Sequence, residues 1–317
     1  MKKRVAIPFY EHPQLFTPEA RKLLTDSGFE IVSHDTGKPI SKQELIALVK
    51  DAYASVVGVE VYSKEVLEVA PKLRVLTRFG VGMDNIDLNF CRERGIRVAR
   101  SVNFNAVAET TISLILASMK NTAWYDRSVR NGNWSRRTSY ELRGKNVSLI
   151  GFGRIGKRVA ELLSGFDVHI LAYDPYMDEE EAKRLHVCPV SMEIALSEGD
   201  VISLHLPHTP QTYHLIDASA FAKMKDGVFF INTARGAIVD EDALCEALQR
   251  GKIRAAGLDV YAKEPLEADH PLRKMENVVL LPHIAAASYE GNRNTALICA
   301  RSIIAVSEGR EPEYPVV

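Results

Sequence analysis

Three side chains able to move a proton or grip an anion stand just past short apolar runs in the second half of the chain. Arg235 follows Val228–Asn232, Glu264 follows Ala255–Asp259, and His283 follows Val278–Leu281. Each alone has an ordinary reading: a surface arginine, a solvated glutamate before proline, a structural histidine. As a set they describe a chemistry. An imidazole takes up an alcohol proton near neutral pH. A carboxylate beside it favours the charged ring and fixes its orientation. A guanidinium holds a substrate carboxylate in a fork. The combination suits removal of a proton and a hydride from C2 of a small 2-hydroxy acid, gripped so that C2 faces the hydride acceptor.

The acceptor is suggested by Gly151-Phe152-Gly153-Arg154-Ile155-Gly156, which follows the apolar run Asn146–Ile150 and opens a helical segment, Arg154–Leu163. In strand–loop–helix context this spacing is a dinucleotide loop. Gly151 permits the tight turn, Gly153 the close approach of a diphosphate, and Gly156 close helix–strand packing. Arg154 and Ile155 begin the helix whose first amides face the phosphates. Asp174 ends the next strand, Val168–Tyr173, where a carboxylate accepts hydrogen bonds from the adenosine ribose and repels a 2′-phosphate. No Lys or Arg follows before Lys183, so NAD is expected rather than NADP.

The remaining histidines (His12, His34, His169, His186, His205, His208, His214 and His270) read as structural, and no metal site is expected. Cys91, Cys188, Cys245 and Cys299 are widely separated and read as reduced thiols of a cytoplasmic protein. A formal net charge of -1 provides no field for nucleic acid or an anionic membrane. The basic start is followed by an apolar run closed by Pro8 and Glu11, too short for a leader. No apolar stretch approaches the roughly 18 residues of a membrane span.

To position these groups, short β-branched runs alternate with helical segments from the start: Val5–Phe9, Pro18–Ser27, Phe29–Val32, Lys42–Lys50, Ser55–Val59, Lys64–Ala70 and Arg74–Thr77. That rhythm predicts parallel-sheet βαβ units. One long helix is expected from about Ala106 to Arg130, capped by Asn103 or Asn105 and closed by Asn131-Gly132-Asn133. The rhythm restarts at Lys145 and ends with a helix, Ala285–Ser307, that has no strand after it. We therefore expect two doubly wound α/β domains, residues 103–285 inserted into a domain made of 1–102 and 286–317, with the last helix packed on the N-terminal sheet.

With its motifs laid out, the chain resembles the D-isomer specific 2-hydroxyacid dehydrogenase family, in particular its phosphoglycerate-dehydrogenase-like members. The resemblance covers nearly the whole chain. It rests on Arg78–Asp87, Asn105–Thr111, Leu142–Lys145, the glycine loop, Leu204–Pro210, Asn232–Gly236, Gly257–Val260 with Glu264-Pro265, and Pro282–Ile284. It implies a Rossmann NAD-binding domain inserted into a flavodoxin-like substrate domain, with Arg235, Glu264 and His283 as the catalytic trio. It further implies that Val81 and Gly82 amides help to bind the substrate carboxylate alongside Arg235 and His283. Pro207, Thr209, Thr233, Ala234 and Asp259 would line the nicotinamide side of the NAD site. A homodimer using the helix after Asn103, and cleft closure on substrate, are also implied.

Two departures stand out. Where phosphoglycerate dehydrogenases usually carry Arg-Ser-x-Thr, this chain has Val57-Gly58-Val59-Glu60, which argues against 3-phosphoglycerate. Ala285-Ala286 replaces two common glycines, adding methyl groups that would alter cofactor fit. Ending at Val317, the chain is expected to lack the regulatory domains some members append. Two other readings compete: an NADPH-preferring glyoxylate/hydroxypyruvate reductase, opposed by Asp174, and a non-catalytic NAD-sensing corepressor-like protein, opposed by the lack of long disordered extensions or an evident docking surface in the sequence. Formate dehydrogenase shares the fold but does not match Glu264.

Overall fold

The computed structural model describes residues 2–9, 15–34 and 36–317; Glu11 and His12 lie outside them. In chain order its first elements are β1 (Arg4–Ile7), α1 (Pro18–Asp26), β2 (Glu30–Ser33), α2 (Lys42–Val49), β3 (Ala54–Val57), α3 (Lys64–Glu68), β4 (Val75–Arg78), α4 (Leu88–Arg94) and β5 (Arg97–Arg100). Then follow α5 (Phe104–Lys120), α6 (Thr122–Arg130), β6 (Asn146–Ile150), α7 (Arg154–Leu163), β7 (His169–Tyr173), α8 (Glu179–Arg184), β8 (Val187–Pro189) and α9 (Met192–Glu198). The last are β9 (Val201–Leu204), α10 (Ala218–Lys223), β10 (Val228–Asn232), α11 (Glu241–Gln249), β11 (Ile253–Leu258), β12 (Val278–Leu280) and α12 (Tyr289–Ser307). The chain divides into two units, Met1–Asn103 with Ala287–Val317, and Phe104–Ala286.

In the first unit five parallel strands lie in the order β2-β1-β3-β4-β5, the flavodoxin-like arrangement. Alternation sends neighbouring residues to opposite faces. Val75 packs with Val5, Ile7 and Val56, while Leu76 packs with Ala6, Val57 and Leu67. Ala296, Cys299, Ala300 and Ile303 of α12 complete the Val75 face, as a helix with no following strand suggests. This helix begins at Tyr289, later than its periodicity predicts, because the Ser288 hydroxyl accepts the Gly291 amide at 2.9 Å and sets the cap there.

In the second unit seven parallel strands run β12-β11-β10-β9-β6-β7-β8. Strand order reverses between β6 and β9, the switch point of a Rossmann sheet. β10 is buried throughout, with Phe230 on one face and Phe229 and Ile231 on the other against Leu114, Ile115 and Met119 of α5. Such two-sided burial is why its sequence reads as an unbroken apolar run.

The single helix expected over Ala106–Arg130 is two helices. Asn121 takes a left-handed conformation, φ 55°, and interrupts the backbone between α5 and α6. Asparagine tolerates that region better than other non-glycine residues, and its side chain donates to Thr138 O at 3.2 Å. Helix α5 starts at Phe104, placing Asn105 inside the first turn, where it donates to Glu109 at 2.7 Å. Among the described residues no helix is long and apolar enough to cross a membrane. Cys91, Cys245 and Cys299 are buried free thiols and Cys188 is exposed.

Placing a β-branched residue at the break by Asn121→Val should lower stability by about 1–2 kcal/mol, the left-handed penalty, measurable by urea unfolding.

Candidate active site

The carboxyl ends of β10, β11 and β12 are adjacent on one edge of the second unit's sheet, and each leads into one member of the expected trio. Past β10, buried Asn232 shapes the turn: its Oδ1 accepts the Ala234 amide at 3.0 Å and its Nδ2 donates to Arg235 O at 2.9 Å. Thr233 is tied to Thr111 of α5 through their hydroxyls at 2.9 Å. Arg235 Nη1 donates to Ala234 O at 2.6 Å. At Gly236 a Cβ would lie 1.9 Å from the Tyr261 carbonyl, so only glycine lets the loop after β11 pack against the turn carrying Arg235.

Glu264 sits on that loop. Its Oε1 accepts the Tyr261 amide at 3.0 Å, and its Oε2 lies 2.6 Å from His283 Nδ1. His283, past β12, is held at φ 56°. Its amide donates to Asp259 O at 2.8 Å, while the two Asp259 carboxylate oxygens accept the Ile284 and Ala285 amides at 2.7 and 2.9 Å. Asp259 is 1% exposed, and its side chain builds the turn that presents His283. Ala285, the first of the two alanines in place of glycine, is buried, and its carbonyl accepts the Thr110 hydroxyl at 3.2 Å.

Burial pushes the Glu264 carboxyl up, but the hydrogen bond and charge of His283, the Tyr261 amide and the charge of Arg235 outweigh it, leaving the pKa below its usual value. Burial raises Asp259 against the two amides it accepts. With Nδ1 committed to Glu264, Nε2 is the His283 nitrogen left to exchange a proton with a ligand. The His283 side chain is half-exposed, which such exchange requires.

The dinucleotide features lie at the same end of this sheet. Gly151 has φ 104°, and a Cβ there would lie 2.7 Å from the His205 carbonyl; one at Gly156 would lie 2.3 Å from Gly151 O. Helix α7, beginning Arg154-Ile155-Gly156, has Gly153 at its cap position and no side-chain cap. Its first-turn amides thus suit a diphosphate. Asp174 Oδ2 accepts the Phe152 amide and Oδ1 the Tyr176 amide, both at 2.8 Å, joining the end of β7 to the glycine loop. Each oxygen retains a second lone pair for a hydroxyl donor. After β9, Thr212 Oγ1 donates to Pro207 O at 2.7 Å and accepts the Thr209 amide at 2.8 Å, closing a turn. Burial pushes the His205 imidazole down to about 3, so the ring beneath the glycine loop is neutral.

In the first unit, Arg78 shapes the loop bearing Val81 and Gly82 by donating to Gly82 O at 2.9 Å, Val57 O at 3.1 Å and Phe79 O at 3.2 Å. Past β3, Glu60 Oε2 accepts the Gly58 amide at 2.9 Å, and burial raises the Glu60 carboxyl.

Sequence reasoning singled out the trio but not the residues that aim it. Asn232, Gly236 and Asp259 stand within the same motifs, yet spacing alone does not show which backbone groups they hold. A carboxyl held below its ordinary value of about 4.3 adds stability at neutral pH that is lost as the pH falls from there through the lower folded value. Glu264→Gln should therefore make stability less pH-dependent across that acid range, as read from chemical unfolding at a series of pH values.

Residues 112–285 match the family model of the D-isomer specific 2-hydroxyacid dehydrogenase NAD-binding domain. The chain is 42% identical over 314 residues to a D-3-phosphoglycerate dehydrogenase of Archaeoglobus fulgidus, covering 98% of this chain but 58% of that relative's length. It is 40% identical over 297 residues to a glyoxylate reductase of Thermofilum pendens, covering 89% of this chain and 87% of the relative. The crystal structure of a D-lactate dehydrogenase from Aquifex aeolicus, complexed with NAD and lactic acid, aligns with a TM-score of 0.82 at 31% identity over 96% of each chain. With a glycine loop and acidic strand end suited to NAD, and relatives matched along both units, the chain belongs to the D-isomer specific 2-hydroxyacid dehydrogenases, NAD-linked oxidoreductases acting on CH–OH donors.

Proposed function

We propose that the protein interconverts a small D-2-hydroxy acid and its 2-oxo acid, with His283 as acid and base, Glu264 as its partner and Arg235 as the anchor for the substrate carboxylate. The carrying observation is the 2.6 Å contact between His283 Nδ1 and Glu264 Oε2, with the Arg235 charge acting on the same carboxylate. NAD, when bound, supplies or accepts the hydride at C2. In reduction the imidazolium gives its Nε2 proton to the C2 oxygen; in oxidation the neutral ring takes that proton back. Glu264 favours the imidazolium in either direction, and Arg235 fixes the acid and polarises its carbonyl. The Phe104–Ala286 unit is the NAD domain in this reading, and the other unit, with Val81 and Gly82, the substrate domain.

The substrate we propose is unphosphorylated, of the size of glyoxylate or hydroxypyruvate. Glu60, at the carboxyl end of β3 with its Oε2 on the Gly58 amide, opposes a second anionic group there. A homodimer using the segment after Asn103 is supported by its exposed Phe104, Val129 and Trp134. Cytoplasmic residence is supported by the free thiols, and the near-zero net charge supports a small-molecule substrate and no nucleic-acid partner.

A panel of 2-oxo acids with NADH tests this reading. Glyoxylate or hydroxypyruvate should turn over faster than 3-phosphohydroxypyruvate; the reverse order would remove the substrate assignment. His283→Ala should lower kcat by about 10²–10⁴-fold, the worth of a positioned acid or base, and undiminished turnover would remove its assigned role. Asp174→Ser should raise the NADPH-to-NADH activity ratio, and an unchanged ratio would show that Asp174 does not select the cofactor.

A further inference from the structure

A second histidine–carboxylate pair lies in the Phe104–Ala286 unit. His270 Nε2 is 3.1 Å from Glu241 Oε1, and their side chains are only 18% and 14% exposed. Glu241 is the first residue of α11, a helix capped by the Asp240 side chain, so its backbone is fixed by regular structure. Its other oxygen, Oε2, accepts the Ala262 amide at 3.1 Å. The preceding amide, that of Tyr261, goes to Glu264.

Consecutive amides of the loop after β11 are thus each held by a carboxylate, and each carboxylate is held by a histidine: His283 through Glu264 to Tyr261, and His270 through Glu241 to Ala262. The two relays differ in anchorage. Glu264 belongs to the loop it closes, so its bond to Tyr261 is internal to that loop, and this relay reaches outside it only through His283 on the turn past β12. Glu241 ties the loop to a helix. His270 Nδ1 accepts the Leu272 amide at 3.3 Å, capping the short 3-10 turn Pro271–Lys274. That leaves Nε2 as the protonated nitrogen, a donor to Glu241. The Glu241 carboxylate is therefore oriented from one side by His270 and spends its other oxygen on the loop.

We propose that Glu241 and His270 are positioning residues that act on His283 through Glu264 without touching the substrate. The inference rests on the reading of His283 and Glu264 as the paired acid–base group. A loop released from α11 lets Glu264 drift, and small misplacements of a catalytic pair cost much of the rate.

The test is steady-state kinetics with glyoxylate and NADH on E241A, E241Q, H270N, E264Q and the double variant E241A/E264Q, with NADH affinity from fluorescence titration. E241A should lower kcat about 10-fold or more while NADH affinity stays within about twofold. E241Q, whose amide oxygen still accepts the Ala262 amide, should lose less. H270N, whose asparagine still caps Pro271–Lys274 but is too short for Glu241, should fall between them. E241Q and H270N carry the same comparison should E241A not fold. The decisive arm is the double variant. Once Glu264 is replaced, E241A should lower kcat by less than about a further twofold, because residues acting as one unit are not additive. Full multiplication of the two losses, an unchanged kcat in E241A, or a loss of NADH affinity as large as the loss of kcat would overturn the proposal while leaving the acid–base reading intact. An E264Q enzyme with undiminished kcat would overturn both.

Discussion

Parallel strands bring all their carboxyl ends to one edge of a sheet, and the candidate site depends on that constraint before it depends on any side chain. In the Phe104–Ala286 unit, Asn232 lies beside Leu258 and Leu258 beside Leu280, so the loops carrying Arg235, Glu264 and His283 leave from neighbouring points. The register is secured by burial on both faces. A slip of one residue in β10 would exchange Phe230 for Phe229 and Ile231 on each side and disturb both core layers together. Strands that carry no member of the trio thereby set the spacing of all three.

Within that frame, backbone geometry decides where the side chains of the trio start. Asn232 and Asp259 spend their polar atoms on amides and carbonyls of the turns bearing Arg235 and His283. Gly236 supplies close approach where any side chain would collide with Tyr261. A half-exposed histidine–glutamate pair gains little from attraction alone in water. Its short contact depends on turns already shaped when the two side chains meet, which is the preorganisation a proton-transfer site needs.

The order of strands and helices was legible because apolar runs and helical periods differ in their repeat, and the glycine loop because each of its glycines has a distinct steric cause. The placement of the trio was legible because each member follows a strand end. Other features were hidden for physical reasons. Asn121 looks like one more residue in a helical pattern; only its left-handed backbone reveals the break between α5 and α6. Asp259 was expected only along the cofactor, by resemblance, since spacing cannot show that its carboxylate turns back to two amides. His270 read as a structural histidine and Glu241 drew no notice, because their meeting joins two points far apart along the α11–β12 segment.

The first unit's sheet is closed over by α12, whose Ala296, Cys299, Ala300 and Ile303 meet Val5, Ile7 and Val75. This discontinuity matters while the chain is being synthesised. The strands of residues 4–100 emerge from the ribosome before α12, and the layer that shields one of their faces emerges only after the whole Phe104–Ala286 unit. That intervening unit has all its own strands and helices available earlier and can condense by itself, since domains fold as units during synthesis. One apolar face of these strands therefore stays unshielded until α12 has been made.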